Sequence, residues 1–139
     1  MIGLVVCAAV LIVATVFGTV RAARDGKLRA RPRGGAARLS AVELGSELGE
    51  RTTLVQFSTA FCGPCRPTRQ LLADIAGTVP GAAHVEIDAD DRLELVRRLG
   101  ILRTPTVLVL DRTGRVVGRA SGQPRRAELM AAIGKATDA

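Results

Sequence analysis

Tryptophan and tyrosine are absent from this chain of 139 residues, and phenylalanine occurs only three times. Base-stacking platforms for single-stranded nucleic acid need several aromatic faces, so that class of partner is all but excluded. Histidine occurs once, as His84, and cysteine three times, as Cys7, Cys62 and Cys65. Three cysteines are too few for a disulfide framework. Thiolate and imidazole ligands for a four-coordinate zinc site are equally short, so neither a metal nor an organic cofactor is expected. A broad charged face is missing as well. The formal charge is +7, yet residues 21–40 hold seven basic groups (Arg21, Arg24, Lys27, Arg29, Arg31, Arg33 and Arg38) and one acid, Asp25. The remainder carries 13 basic against 12 acidic groups, which again argues against a nucleic-acid partner.

The sequence divides into three parts. Residues 1–20 include nineteen uncharged positions from Ile2 to Val20. At the helical rise such a run covers roughly the 30 Å hydrocarbon thickness of a bilayer, and it reads as a transmembrane anchor. A secretory leader is the competing reading. Against it stand the lack of a basic group before the run, the length of the run, and Arg21 in the best small-residue cleavage site. Cys7 is then a small apolar residue within the span. Residues 21–38 read as a basic, flexible linker containing Pro32. By the positive-inside rule this segment places the C-terminal side in the cytoplasm, giving a single-pass membrane protein. It serves either as a topology signal alone or also as a contact for anionic lipid head groups. Residues 39–139 form the folded domain.

Within that domain, Ser40 and Glu43 make a capping box and Leu39 with Leu44 a hydrophobic staple. Thr52–Ser58 reads as a buried strand, and Leu71, Leu72, Ile75 and Ala76 share a helical face after it. His84–Ala89 alternates as a half-covered strand. Asp90 or Asp91 is placed to cap a helix bearing Leu93, Val96 and Leu99, closed by Gly100. Thr106–Leu110 is a second buried strand, Asp111–Gly114 a hairpin turn into Arg115–Ala120, and Pro124 opens a last helix. The order α-β-α-β-α-β-β-α predicts a mixed-sheet α/β sandwich, with a parallel first pair and an antiparallel last pair.

Cys62-Gly63-Pro64-Cys65 leaves the first strand and opens a helix. Unpaired N–H groups and the positive end of the helix dipole favour thiolate at Cys62, and thiolate is the nucleophile. The spacing predicts dithiol–disulfide exchange: Cys62 attacks a substrate disulfide and Cys65 resolves the mixed disulfide. Half of a zinc site is the competing use of this spacing, including a cluster bridging two chains.

Phe61-Cys62-Gly63-Pro64-Cys65-Arg66 after a strand, followed later by Thr104-Pro105-Thr106, resembles the thioredoxins over residues 39–139. The resemblance implies a thioredoxin-like three-layer sandwich and a cis Pro105. It also implies a substrate groove at Phe61, Gly63, Pro64, Thr104 and Pro105, where an extended segment pairs beside Thr104. Protein disulfides would be the substrates, and a separate reductase would recharge the dithiol. Gly114 and Gly122 match family positions too. Three residues depart from the pattern. Phe61 stands in place of a tryptophan, Gln56 in place of a buried aspartate that relays protons to the second cysteine, and Thr104 in place of an aliphatic residue. Gln56 is either a satisfied polar residue on a buried strand or a relay tuned down. His84 reads as a strand-surface residue rather than a base, and Pro67 is expected to shorten or kink the first helical turn. Together these readings predict a membrane-tethered protein-disulfide reductase. The alternatives are an exported or outward-facing oxidoreductase and a low-turnover docking domain of the same fold.

Overall fold

The computed structural model describes residues 1–30 and 37–138. Its elements follow in the order α1 (Ile2–Arg24), β1 (Arg29–Ala30), α2 (Ala41–Leu44), β2 (Thr52–Ser58) and α3 (Cys65–Thr78). They continue with β3 (Ala82–Asp88), α4 (Leu93–Leu99), β4 (Thr106–Asp111), β5 (Val116–Ser121) and α5 (Arg126–Thr137). The five strands lie in the order β1-β5-β4-β2-β3. Strand β2 runs parallel to β3 and antiparallel to β4, while β5 is antiparallel to both β4 and β1. The mixed α/β sandwich read from the sequence is the observed fold.

Why β2 lies inside the sheet, between β4 and β3, follows from its side chains. A strand with neighbours on both edges and helices on both faces has no wet side, so it cannot alternate polar and apolar. All seven β2 residues are buried. Alternate residues feed two separate cores. Val55 and Phe57 pack with Val85, Ile87, Leu108 and Leu110 against Leu95 and Leu99 of α4 and Leu44 of α2. Leu54 packs with Val107 and Val109 against Leu72 and Ile75 of α3 and Leu129 and Ile133 of α5. These are the three layers.

The capping box holds: Ser40 Oγ accepts from the Glu43 amide at 3.3 Å, and Glu43 Oε2 accepts from the Ser40 amide at 2.9 Å. Gly45 at φ 67° ends that helix after four residues. In the β4–β5 turn, Asp111 Oδ1 accepts from the amides of Thr113 and Arg115 and from the Thr113 hydroxyl. Burial pushes the Asp111 carboxyl up, but these bonds outweigh it and hold the group below its ordinary value. Gly114, at φ 80°, lies so close to Leu39 that a Cβ would stand 2.0 Å from its carbonyl oxygen.

Three boundary readings need correction. Strand β3 begins at Ala82, before His84, and α5 begins at Arg126, after Pro124. Helix α4 is capped by neither Asp90 nor Asp91; its N-cap is Arg92, with no side-chain cap bond. Instead Asp88 Oδ1 accepts from the Asp90 amide at 2.9 Å, which turns the chain before the helix starts.

The largest correction concerns residues 21–38. Arg31 to Ala36, including Pro32, lie outside the described residues. The rest is not a free linker. Helix α1 continues to Arg24, and the Gly26 amide donates to the Ser121 carbonyl at 2.8 Å. Asp25 then pairs with Arg103 at 2.9 Å. Arg29 and Ala30 form the edge strand β1 on β5, and Leu28 packs against the second core. The physical cause is the open edge of β5, whose unpaired backbone groups recruit any adjacent extended segment. Helix α1 is long and apolar enough to cross a bilayer, and none of its residues is buried. Length and composition alone do not separate a span from a leader.

Candidate functional site

The site is built where β2 ends and α3 begins. Sheet pairing stops at Ser58, and Thr59, Ala60 and Phe61 carry the chain out to the surface. Phe61 is fully solvent-exposed, while Cys62 is half-buried and Cys65 is buried. Cys62 and Cys65 are joined by a disulfide, with their Cα atoms 5.4 Å apart. The first helical residue is Cys65 rather than Cys62. Cys62 lies in the preceding turn, where its carbonyl accepts from the Cys65 amide at 3.3 Å. Both sulfurs still lie at the helix amino terminus, where amides have no intrahelical partner.

That shift also explains Pro67. As the third helical residue it lies in the first turn, where its missing N–H would have had no partner. Thr68 then closes the turn, its amide and hydroxyl both donating to the Pro64 carbonyl. The helix therefore starts late, and Pro67 removes no intrahelical bond.

The Thr104–Pro105 peptide is cis. The Pro105 carbonyl accepts from the Gly122 amide at 2.7 Å, and Thr106 Oγ1 donates to the Arg103 carbonyl at 2.6 Å. The Thr104 and Thr59 hydroxyls are hydrogen-bonded at 3.2 Å, which ties the proline loop to the segment leading to Cys62. Residues 59–65 and 104–105 thus meet at one end of the sheet, with Gly63 and Pro64 exposed between the cysteines. Thr104 has a physical role that an aliphatic residue could not fill: it supplies the hydroxyl of that tie. Sequence reading missed Leu102, which is almost fully exposed two residues before Thr104. It is an exposed apolar side chain in the loop that leads to the cis proline.

Gln56 is fully buried on β2, and its Nε2 donates to the Cys65 carbonyl at 2.8 Å. The amide therefore braces α3 against the sheet directly beneath the second cysteine. Its Oε1 is buried and has no protein partner among the described residues. Glu86, the β3 residue in register with Gln56, is turned to other work. It accepts from the Ser58 hydroxyl at 2.6 Å and from Arg69 at 2.5 and 2.6 Å. The Arg69 guanidinium, aided by the Ser58 hydroxyl, holds the Glu86 carboxyl below its ordinary value. His84 is half-buried on β3, its Nε2 has no hydrogen-bond partner among the described residues, and burial lowers its pKa. Neither residue contacts the disulfide through any of these bonds. Among the described residues, no group of three or more histidine, cysteine or acidic side chains is arranged to hold a metal.

Comparison with known proteins agrees with this geometry. Residues 39–135 match the family model for thioredoxin. "Thioredoxin domain-containing protein 2" of Homo sapiens is 38% identical over 60 residues, covering 43% of this chain and 11% of that protein. "Thioredoxin H2-1" of Oryza sativa is 32% identical over 72 residues, covering 52% of this chain and 51% of that one. The chain therefore spans about half the length of the rice relative and about a tenth of the human one. Among solved structures, thioredoxin F from spinach chloroplast is similar at a TM-score of 0.55 and 26% identity, covering 63% of this chain and 78% of that one. A thioredoxin mutant from Halobacterium salinarum shares the fold at a TM-score of 0.57, covering 63% of this chain and 76% of its own.

Proposed function

Because the chain belongs to the thioredoxin family, we propose that it is a protein-disulfide reductase held to a membrane by α1, with its domain on the cytoplasmic side. The observation that carries the catalytic reading is the Cys62–Cys65 disulfide at the start of α3, beside the cis Thr104–Pro105 loop.

The reaction runs through two displacements. In the reduced pair, the amino terminus of α3 stabilises Cys62 as thiolate. Its sulfur attacks one sulfur of a substrate disulfide, a Cys62–substrate bond forms, and the other substrate sulfur leaves as thiolate. Cys65 then loses its proton and attacks the Cys62 sulfur. The second substrate thiolate departs, and the pair ends as the disulfide seen here. The substrate gains two electrons and, on protonation, two hydrogens. A separate reductase must return two electrons and two protons to the pair. Gln56 holds the Cys65 carbonyl but has no titratable proton, so the Cys65 proton passes to water or to another group. An extended substrate strand lies between Phe61 and the Thr104–Pro105 backbone, where it adds main-chain hydrogen bonds.

Membrane attachment rests on the uncharged run of α1, and sidedness on the basic residues that follow it. Tethering raises the effective concentration of the dithiol near membrane partners without adding a contact. Insulin-disulfide reduction by the full chain, lost in Cys62→Ser, is the direct test. A wild-type protein that is folded, fully reduced and inactive sinks the enzymatic reading. A topology reporter after Ala139 tests the side, and an outward signal would mean an outward-facing or exported oxidoreductase. Covalent mixed disulfides accumulating on Cys65→Ser would separate an exchanger from a docking domain.

A further inference from the structure

The last two turns of α1 present Phe17, Val20, Arg21 and Arg24, spaced three and four apart and so on one helix face. This face lines a cavity of about 710 Å³ whose opposite side is formed by the domain at Gly100, Arg103, Arg119 and Ser121. Lys27 and Arg29, on the segment between, complete it. Six of its lining side chains are cationic, and the one acid, Asp25, is engaged by Arg103.

Two of these cations are fixed in place. Arg119 donates to the Leu99 carbonyl at 2.6 Å and to the Gly100 carbonyl at 2.7 Å, at the negative end of α4. Arg103 is held by Asp25. Arg29 and Arg119 are directly opposed residues of the antiparallel β1–β5 pair, and both line the cavity. An anion entering the cavity therefore meets donors from both strands. Phosphate oxygens suit such a cluster of guanidinium and ammonium donors. Phe17 and Val20 point to the source of the phosphate. They are exposed apolar side chains on the same helix face as Arg21 and Arg24, on the side of the apolar run.

We propose that this cleft binds the phosphate of an anionic phospholipid, with an acyl chain lying along the Phe17–Val20 face of α1. The proposal rests on α1 being a retained membrane span. Occupancy would add a second link between the α1 end and the loop preceding Thr104, because Arg103 lies in that loop and also lines the cleft.

The test is native mass spectrometry of the full chain in detergent, with phosphatidylglycerol, phosphatidylcholine or sn-glycerol 3-phosphate added. The intact mass of residues 1–139, retaining phosphatidylglycerol over phosphatidylcholine by about tenfold, is the expected result. Arg24→Gln and Lys27→Gln should each weaken that retention about fivefold, while Arg112→Gln, outside the cleft, leaves it unchanged. Thermal melts monitored by circular dichroism check that each variant is folded. Equal retention of both lipids, or a preference that Arg24→Gln and Lys27→Gln do not reduce, overturns the proposal. Competition by glycerol phosphate as strong as that of the lipid overturns the lipid assignment in favour of a free phosphate ester. A shorter mature mass lacking α1 overturns the membrane-span reading itself, and the spectrum shows that outcome separately.

Discussion

The domain and the arm that precedes it are held by opposite kinds of force. From Leu39 onward the chain is organised by two dry cores, one on each face of the sheet, and its central strand has no exposed residue. The arm, residues 25–30, is held by one ion pair, a two-residue strand pairing, the Gly26–Ser121 hydrogen bond, a bond from Leu28 to Glu128, and the side chain of Leu28. Apolar burial is nondirectional and cumulative, so the domain resists single losses outside its centre. Polar contacts at an edge are directional, and each is worth little. The domain is therefore held chiefly by its cores, and the arm by contacts along one edge of the sheet.

That contrast can be broken most severely at Phe57, a fully buried core side chain. Phe57→Ala should cost about 3–5 kcal/mol, read as a lower urea midpoint for the whole domain. Gln56→Leu comes next. It removes the side-chain bond to the Cys65 carbonyl, which keeps its intrahelical partner as the first residue of α3, and should cost about 0.5–1.5 kcal/mol. Gln56→Glu should instead introduce an inflection into the pH profile of mixed-disulfide resolution, because a titratable group then lies under Cys65. A flat comparison with wild type would show that the side chain at 56 is only a brace.

Gly26→Ala strikes the arm alone. At φ 76° its Cβ would stand 2.1 Å from the Gln123 carbonyl oxygen, so the arm must detach. Hydrogen exchange should then accelerate at 25–30 while β2 and β4 keep their protection. Loss of protection in both regions would mean that arm and domain form one cooperative unit. Acidification gives the smallest effect. His84 has a folded pKa lowered by burial, so its neutral form contributes stability that is lost as pH falls below its unfolded value of about 6.5. Glu86 is also lowered, chiefly by Arg69, so its contribution is present above its unfolded pKa and is lost as pH falls through the folded one. Denaturation midpoints should decline in that order between neutral and acidic pH, and His84→Gln should remove only the first part.

The same division decides what could be read from the sequence. Thr52–Ser58 was legible because burial on both faces demands an unbroken apolar or β-branched run, and Cys62–Cys65 because its spacing after a strand is chemically specific. Strand β1 was not legible: Arg29 and Ala30 have no β-forming character, and their conformation is imposed by the open edge of β5. Asp90 and Asp91 looked like caps because their side chains suit that role, yet the Asp88 turn moved the helix start past them. Leu102 was passed over because a single apolar residue in a loop carries no periodicity, and its exposure shows only in the structure.

The pairing of Asp25 with Arg103 limits reach. Asp25 is the first residue beyond α1, and Arg103 adjoins the threonine that is bonded to the approach to Cys62. For the tethered chain proposed above, these short links would keep the cysteine pair close to the lipid surface. The disulfides within reach of such a chain would be those carried near the bilayer, and those at the top of tall modules on the same side would be out of range.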